Sequence, residues 1–152
     1  MMLTDESDPR LSCSWRYAPP LKAKSQDFYD AFELKDDEPS LSFFVNSNID
    51  MNTEDKRSEI FHVYESINYK LKKSGRCLEV DLINAQEEAN FPSKQISAII
   101  DRYPHCSLFY LGGCYENEDD KAEIINILYN NIKDVVSISK HQNQIVILDC
   151  ND

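Results

Sequence analysis

The groups best able to do chemistry in this chain are five cysteines, three histidines and a dense set of carboxylates. Cys114 stands between an apolar run and a helix start, where a helix dipole favours a nucleophilic thiolate. Glu116, Glu118, Asp119 and Asp120 follow it. These acids oppose a thiolate, and no arginine follows to complete a phosphatase-type loop. A metal needs clustered ligands, yet His105 and Cys106 are adjacent and point to opposite faces of a strand. The carboxylates of 116–120 lack the spacing of an EF-hand loop. His62, His105 and His141 fall on a helix, a strand start and a hairpin tip. Spacing leaves Ser/His/Asp catalysis open, but no nucleophile elbow marks a serine. With only Gly75, Gly112 and Gly113 in the chain, no glycine-rich phosphate loop can be written. The expectation is a protein with no catalytic residue, no cofactor and no metal.

Elements must position these groups, and their order suggests a fold. LSFFV (41–45) reads as a short strand. Asn52 or Thr53 caps a helix with Ile60, Val63, Tyr64, Ile67 and Leu71 as its buried stripe, closed by Gly75. RCLEVDLI (76–83) reads as a second strand and NAQEEANF as an acidic loop. Pro92 and Ser93 then open a helix, with Ile96, Ile99, Ile100 and Tyr103 on one face and Pro104 as its stop. The near-continuous apolar run CSLFYL (106–111) predicts a central strand buried on both faces. Asn117 caps a last helix carrying Ile124, Ile125, Leu128 and Ile132. VVSIS (135–139) and QIVIL (144–148) flank KHQN as a hairpin. The order β-α-β-α-β-α-β-β predicts an α/β fold: a mainly parallel sheet of about five strands, flanking helices and a C-terminal antiparallel hairpin. Ile60, Ile67, Phe109, Leu111, Ile125, Leu128 and Ile147 are the expected core. Residues 1–40 hold four of the six prolines and many acids, so they read as an irregular acidic arm before a single α/β domain at 41–152. Within that arm 1–26 is irregular, and a short helix falls near Asp27–Leu34.

Composition bounds the function. The 152 residues are 41% hydrophobic, which excludes general disorder, and no run approaches the roughly 18 apolar residues of a membrane span. The acidic start carries no secretory signal. The cysteines, odd in number and without a CxxC pair, read mostly as small buried hydrophobes, with Cys77, Cys106 and Cys150 reduced and a cytoplasmic location expected. Net charge is −11, which disfavours nucleic acid and anionic lipid as direct partners.

The acids cluster. Residues 27–38 hold six against one lysine, and 116–123 hold five against one lysine. The expected partner-binding residues are Asp27, Phe28, Tyr29, Asp30, Asp36, Asp37 and Glu38 in the first cluster, with Tyr115, Glu116, Glu118, Asp119 and Asp120 in the second. In bulk the chain resembles bacterial immunity proteins to nuclease toxins, and phage inhibitors of nucleic-acid-binding defence complexes. That resemblance implies a non-catalytic, acidic protein-binding inhibitor whose carboxylates occupy a basic partner's phosphate-binding cleft. The element order from Leu41, with the run Ile96 to Cys114 and an acid-led helix after it, also resembles TIR-type and deoxyribosyltransferase-like domains. That likeness implies a nucleotide-processing enzyme with Glu116 or Glu123 at a ribosyl centre.

Overall fold

The structure is a computed structural model that describes residues 7–18, 29–34, 40–45, 55, 58, 62, 76–91, 93–111, 117–141 and 144–149. Among the described residues seven strands form one sheet: β1 (Ser14–Ala18), β2 (Ser40–Val45), β3 (Arg76–Val80), β4 (Ile96–Arg102), β5 (His105–Tyr110), β6 (Ile132–His141) and β7 (Gln144–Asp149). Their spatial order is β4-β5-β2-β1-β3-β6-β7. Every pairing in it is antiparallel. The expected mainly parallel sheet is therefore wrong, and only the mixture of helices and strands survives from that expectation.

Two exchanged elements explain the error. The segment expected to be an acidic loop is helix α1 (Leu82–Ala89). Asp81 caps it by accepting from the Asn84 backbone N–H at 3.0 Å. The strand before it ends at Val80 rather than at residue 83, so Leu82 becomes a buried helical residue alongside Ala85 and Ala89. The segment expected to be the next helix is strand β4 instead. Asn90 starts that strand: its Oδ1 accepts from Gln95 and Ile96 backbone N–H, and its Nδ2 donates to the Ile96 carbonyl. Ile96, Ile99 and Ile100 do recur at helical spacing. Ile96, Ala98 and Ile100 also alternate, however, and these are the positions buried in the core. Two β elements thus meet across Tyr103-Pro104, a cis peptide, with Arg102 opposite His105. A two-residue connection can only join antiparallel strands.

The third correction lies near the N-terminus. Residues 9–18, read as irregular, form a 3₁₀ turn (Pro9–Cys13) and strand β1. β1 occupies the middle of the sheet, between β2 and β3. Strand β5, expected to be central, lies second from one edge. A second 3₁₀ turn, Tyr29–Phe32, stands where a short helix was expected. The helix α2 (Glu118–Asn130) begins as expected: Asn117 Oδ1 accepts from Asp119 and Asp120 backbone N–H. It stops before Ile132, which opens β6. The C-terminal hairpin of β6 and β7 is present. Asp55, Ser58 and His62 are helical and exposed, and they fall on the helical edge opposite the expected stripe. The stripe itself lies outside the described residues.

The described core sits between one face of the sheet and helices α1 and α2. Leu41, Phe43, Val45, Leu78, Val80, Ile96, Ala98, Ile100, Cys106, Leu108 and Tyr110 face Leu82, Ala85, Ala89, Ile124, Ile125 and Leu128. Phe32 joins them, and its carbonyl accepts from the Tyr110 hydroxyl at 2.9 Å. Of the expected core, Ile125 and Leu128 are buried, whereas Phe109 and Leu111 are only half-buried. Ile60 and Ile67 lie outside the described residues, as does the Ile147 side chain. Among the described residues no helix is long and apolar enough to cross a membrane.

Candidate functional site

Two surfaces, on opposite sides of the sheet, hold the groups able to act. The first is the outer side of the helical layer. α1 and α2 lie together, and asparagines join them: Asn84 Nδ2 donates to Asn131 Oδ1 at 2.6 Å, while Asn131 Nδ2 donates to the Ile127 carbonyl at 2.8 Å. The Asp81 backbone N–H donates to the Asn131 carbonyl. With inward positions committed to the core, the outward ones carry charge. Glu87 and Glu88 are exposed on α1, and Glu118, Asp119 and Glu123 on α2. Lys121 reaches Glu118 at 3.5 Å, and the exposed Lys94 lines a hollow together with Glu87 and Phe91, so the acids outnumber the lysines there. Two aromatic rings stand in the same layer: Phe91, just after α1, is 83% exposed, and Tyr129 on α2 is 42% exposed.

The sequence-derived partner-binding residues distribute unevenly. Glu118 and Asp119 are exposed and Asp120 is half-buried, all in the first turn of α2. Tyr29 and Asp30 belong to the second 3₁₀ turn. Asp27, Phe28, Asp36, Asp37, Glu38, Tyr115 and Glu116 lie outside the described residues, as do Cys114 and Cys150. Sequence reasoning missed Glu87, Glu88, Phe91 and Tyr129 as surface groups. The signal was available, since Leu82, Ala85, Gln86 and Ala89 recur at helical spacing and turn Glu87 and Glu88 outward.

The second surface is the opposite face of the sheet, around the β4–β5 hairpin. Residues paired across antiparallel strands share a face, so Ser42 with Ser107 and Phe44 with His105 lie together. The register shift between Ile99 and Arg102 brings Asp101 beside them. His105 Nδ1 stands 2.7 Å from Asp101 Oδ1, and His105 Nε2 stands 3.1 Å from Ser42 Oγ. Ser107 Oγ donates to the other Asp101 oxygen at 2.6 Å. Partial burial works to raise the Asp101 carboxyl pKa, but the hydrogen bonds from Ser107 and His105 outweigh it, leaving the carboxyl below its ordinary value. Asp101 is therefore an ionised acceptor near neutral pH. Phe44 meets the His105 ring edge-on at 5.6 Å. Asp101 and Ser42 had no mark in the sequence, because neither has a local motif; the pairing of β5 with β2 on one side and β4 on the other unites them.

Toward the sheet centre this face is closed. Trp15, Tyr17, Cys77 and Glu79 are buried there, and Trp15 Nε1 has no acceptor among the described residues. Cys13, Cys77 and Cys106 are free and buried. Burial pushes the Cys77 thiol up to about 12. Burial, aided by the Asp101 charge, pushes the Cys106 thiol up as well. Neither Cys77 nor Cys106 is a nucleophile near neutral pH. His105 and Cys106 point to opposite faces, as adjacency requires. No cluster of three metal-ligating side chains occurs among the described residues. No protein-family model, curated protein or solved structure matches the chain.

Proposed function

We propose that the protein is an acidic protein-binding inhibitor that neutralises a basic, nucleic-acid-processing protein in the cytoplasm, as an immunity or anti-defence protein does. The observation that carries this reading is the outer side of the helical layer. Five exposed carboxylates, Glu87, Glu88, Glu118, Asp119 and Glu123, share it with the exposed rings of Phe91 and Tyr129. Carboxylates mimic the phosphates that a nuclease-like cleft is built to hold, and a net charge of −11 steers encounter with a positive surface. Aromatic rings among charges supply the desolvated anchors that charge alone does not. The TIR-like or deoxyribosyltransferase-like alternative rested on the element order from Leu41, and the observed strands and helices follow a different order.

The test begins with capture of the partner from the native host, the neighbouring gene product being the first candidate, followed by association kinetics. The partner is expected to be basic, and association should slow as salt rises. Reversing Glu87, Glu118, Asp119 and Glu123 to lysine together should lower the association rate by about tenfold or more at low salt while leaving the fold intact. An unchanged rate in that variant overturns the reading for this face.

A further inference from the structure

The sheet face opposite the acidic helices holds three side chains in the order a hydrolytic serine needs: a carboxylate, an imidazole and a hydroxyl joined through the two ring nitrogens. We propose that Ser42, His105 and Asp101 form an acyl-transfer site that cleaves esters with small apolar acyl groups. Such a constellation is recognised by geometry and role rather than by position in the sequence. The ionised Asp101 cannot donate, so the contact with His105 Nδ1 is an N–H donated to Asp101 Oδ1. In the neutral imidazole this arrangement leaves Nε2 as an acceptor 3.1 Å from Ser42 Oγ. Both distances lie within reach for proton transfer. Ser107 holds the second oxygen of Asp101 at 2.6 Å, which locks the carboxylate in place. Ser42 is exposed, so a substrate can reach Oγ.

Neighbours on the same face set the substrate class. Phe44 stands beside His105, Ile99 is opposite Ser107, and Phe109 is opposite Ser40. All three rings or chains are half-buried, forming apolar flanks around a hydroxyl. Asp101 already accepts from both its neighbours, so it is not left to pair a cationic acyl chain.

The chemistry balances without any co-reactant except water. Ser42 Oγ bonds to the ester carbonyl carbon while its proton passes to His105 Nε2. The bond from that carbon to the leaving oxygen breaks, and the oxygen takes the proton from Nε2 and departs as an alcohol. Water then adds to the acyl carbon, gives a proton to Nε2, and displaces Oγ, which recovers that proton as the carboxylic acid leaves. Ser42 and His105 are the catalytic residues; Asp101 and Ser107 are positioning residues.

The full-length chain is tested with p-nitrophenyl butyrate and with a fluorophosphonate probe. The wild type should hydrolyse the ester, and peptide mass spectrometry should place the phosphonate on Ser42. Ser42→Ala and His105→Gln should each lower the Ser42-dependent rate by about 100-fold or more. For Asp101, the readout is the ¹⁵N spectrum of the His105 ring. The wild type should show the Nδ1–H tautomer, and Asp101→Asn, whose amide can donate to Nδ1, should show the Nε2–H tautomer with slower labelling. Label on another residue, no label at all, or hydrolysis unchanged in Ser42→Ala overturns the proposal. If a variant does not fold, the site of label on the wild type still decides. The charge-reversal experiment concerns the other side of the sheet, so either idea can fail alone.

Discussion

The two faces of β2 and β5 are built from the same backbone and differ in nearly everything else. Along β2, Leu41, Phe43 and Val45 enter the helix-covered core, while Ser42 and Phe44 turn the other way. Along β5, Cys106, Leu108 and Tyr110 enter the core, while His105, Ser107 and Phe109 oppose it. A one-residue alternation thus separates an almost wholly apolar surface from one carrying a carboxylate, an imidazole and hydroxyls. The apolar face gains its stability from burial, which tolerates no polar group without a partner. The other face keeps polar groups because each satisfies another, as Asp101, His105, Ser42 and Ser107 do. The helix-covered side of these two strands is held by apolar burial, and the other side by a hydrogen-bonded polar network.

The largest test of that contrast compares two phenylalanines. Phe43 is fully buried in the core and Phe109, on the opposite face, is half-buried. Phe43→Ala should cost about 3–5 kcal/mol, and Phe109→Ala about half of that or less, read from urea midpoints. Equal losses would mean that the face away from the helices is as tightly packed as the core. A smaller effect is expected at Trp15, buried on that second face. Trp15→Phe removes apolar volume but also a buried donor without an acceptor among the described residues, and these two changes act in opposite directions. The net loss should be about 1–2 kcal/mol, well under that of Phe43→Ala. A loss as large as for Phe43 would show that the indole N–H has a partner of real worth.

Local signals made part of this architecture legible. The short β-prone run LSFFV, the asparagine cap before three acids, and the paired β-prone runs at the C-terminus each gave the right element. The failures share one cause. Leu82 and Ile83 extend the apolar run that begins at Cys77, so the helix starting at Leu82 was absorbed into a strand. What decides the boundary is the Asp81 cap. Likewise the isoleucines of 96–100 satisfy two periods at once, and the choice between them rests on tertiary bonds: Gln86 Oε1 accepts from the Ala98 backbone N–H at 3.0 Å, covering an edge strand. Once those two elements exchanged identities, the expected alternation of strands and helices produced a parallel sheet. The polar network on the second face was invisible for a related reason, since Ser42 and His105 lie 63 positions apart and only strand pairing brings them together.

The smallest expected effect follows from the ionised state of Asp101. Partial burial disfavours its charge, yet hydrogen bonds from Ser107 and His105 prevail and leave its folded pKa below the unfolded value. The sign follows from proton binding. Between the two pKa values the unfolded chain binds more protons at this group than the folded chain does. The stabilisation is therefore fully present above the unfolded pKa, about 3.9, and is lost as pH falls through the folded value. Asp101→Asn removes that contribution. Its stability should lie below wild type at pH 6 and converge on wild type as pH drops below about 4. Since Asp101 and His105 are each about one-third exposed, solvent screens the interaction and the separation should be modest. Urea titrations of both proteins at several pH values measure it directly. If the gap between them stays constant down to acid pH, the carboxylate charge contributes nothing, and the hydrogen bonds on this face act without it.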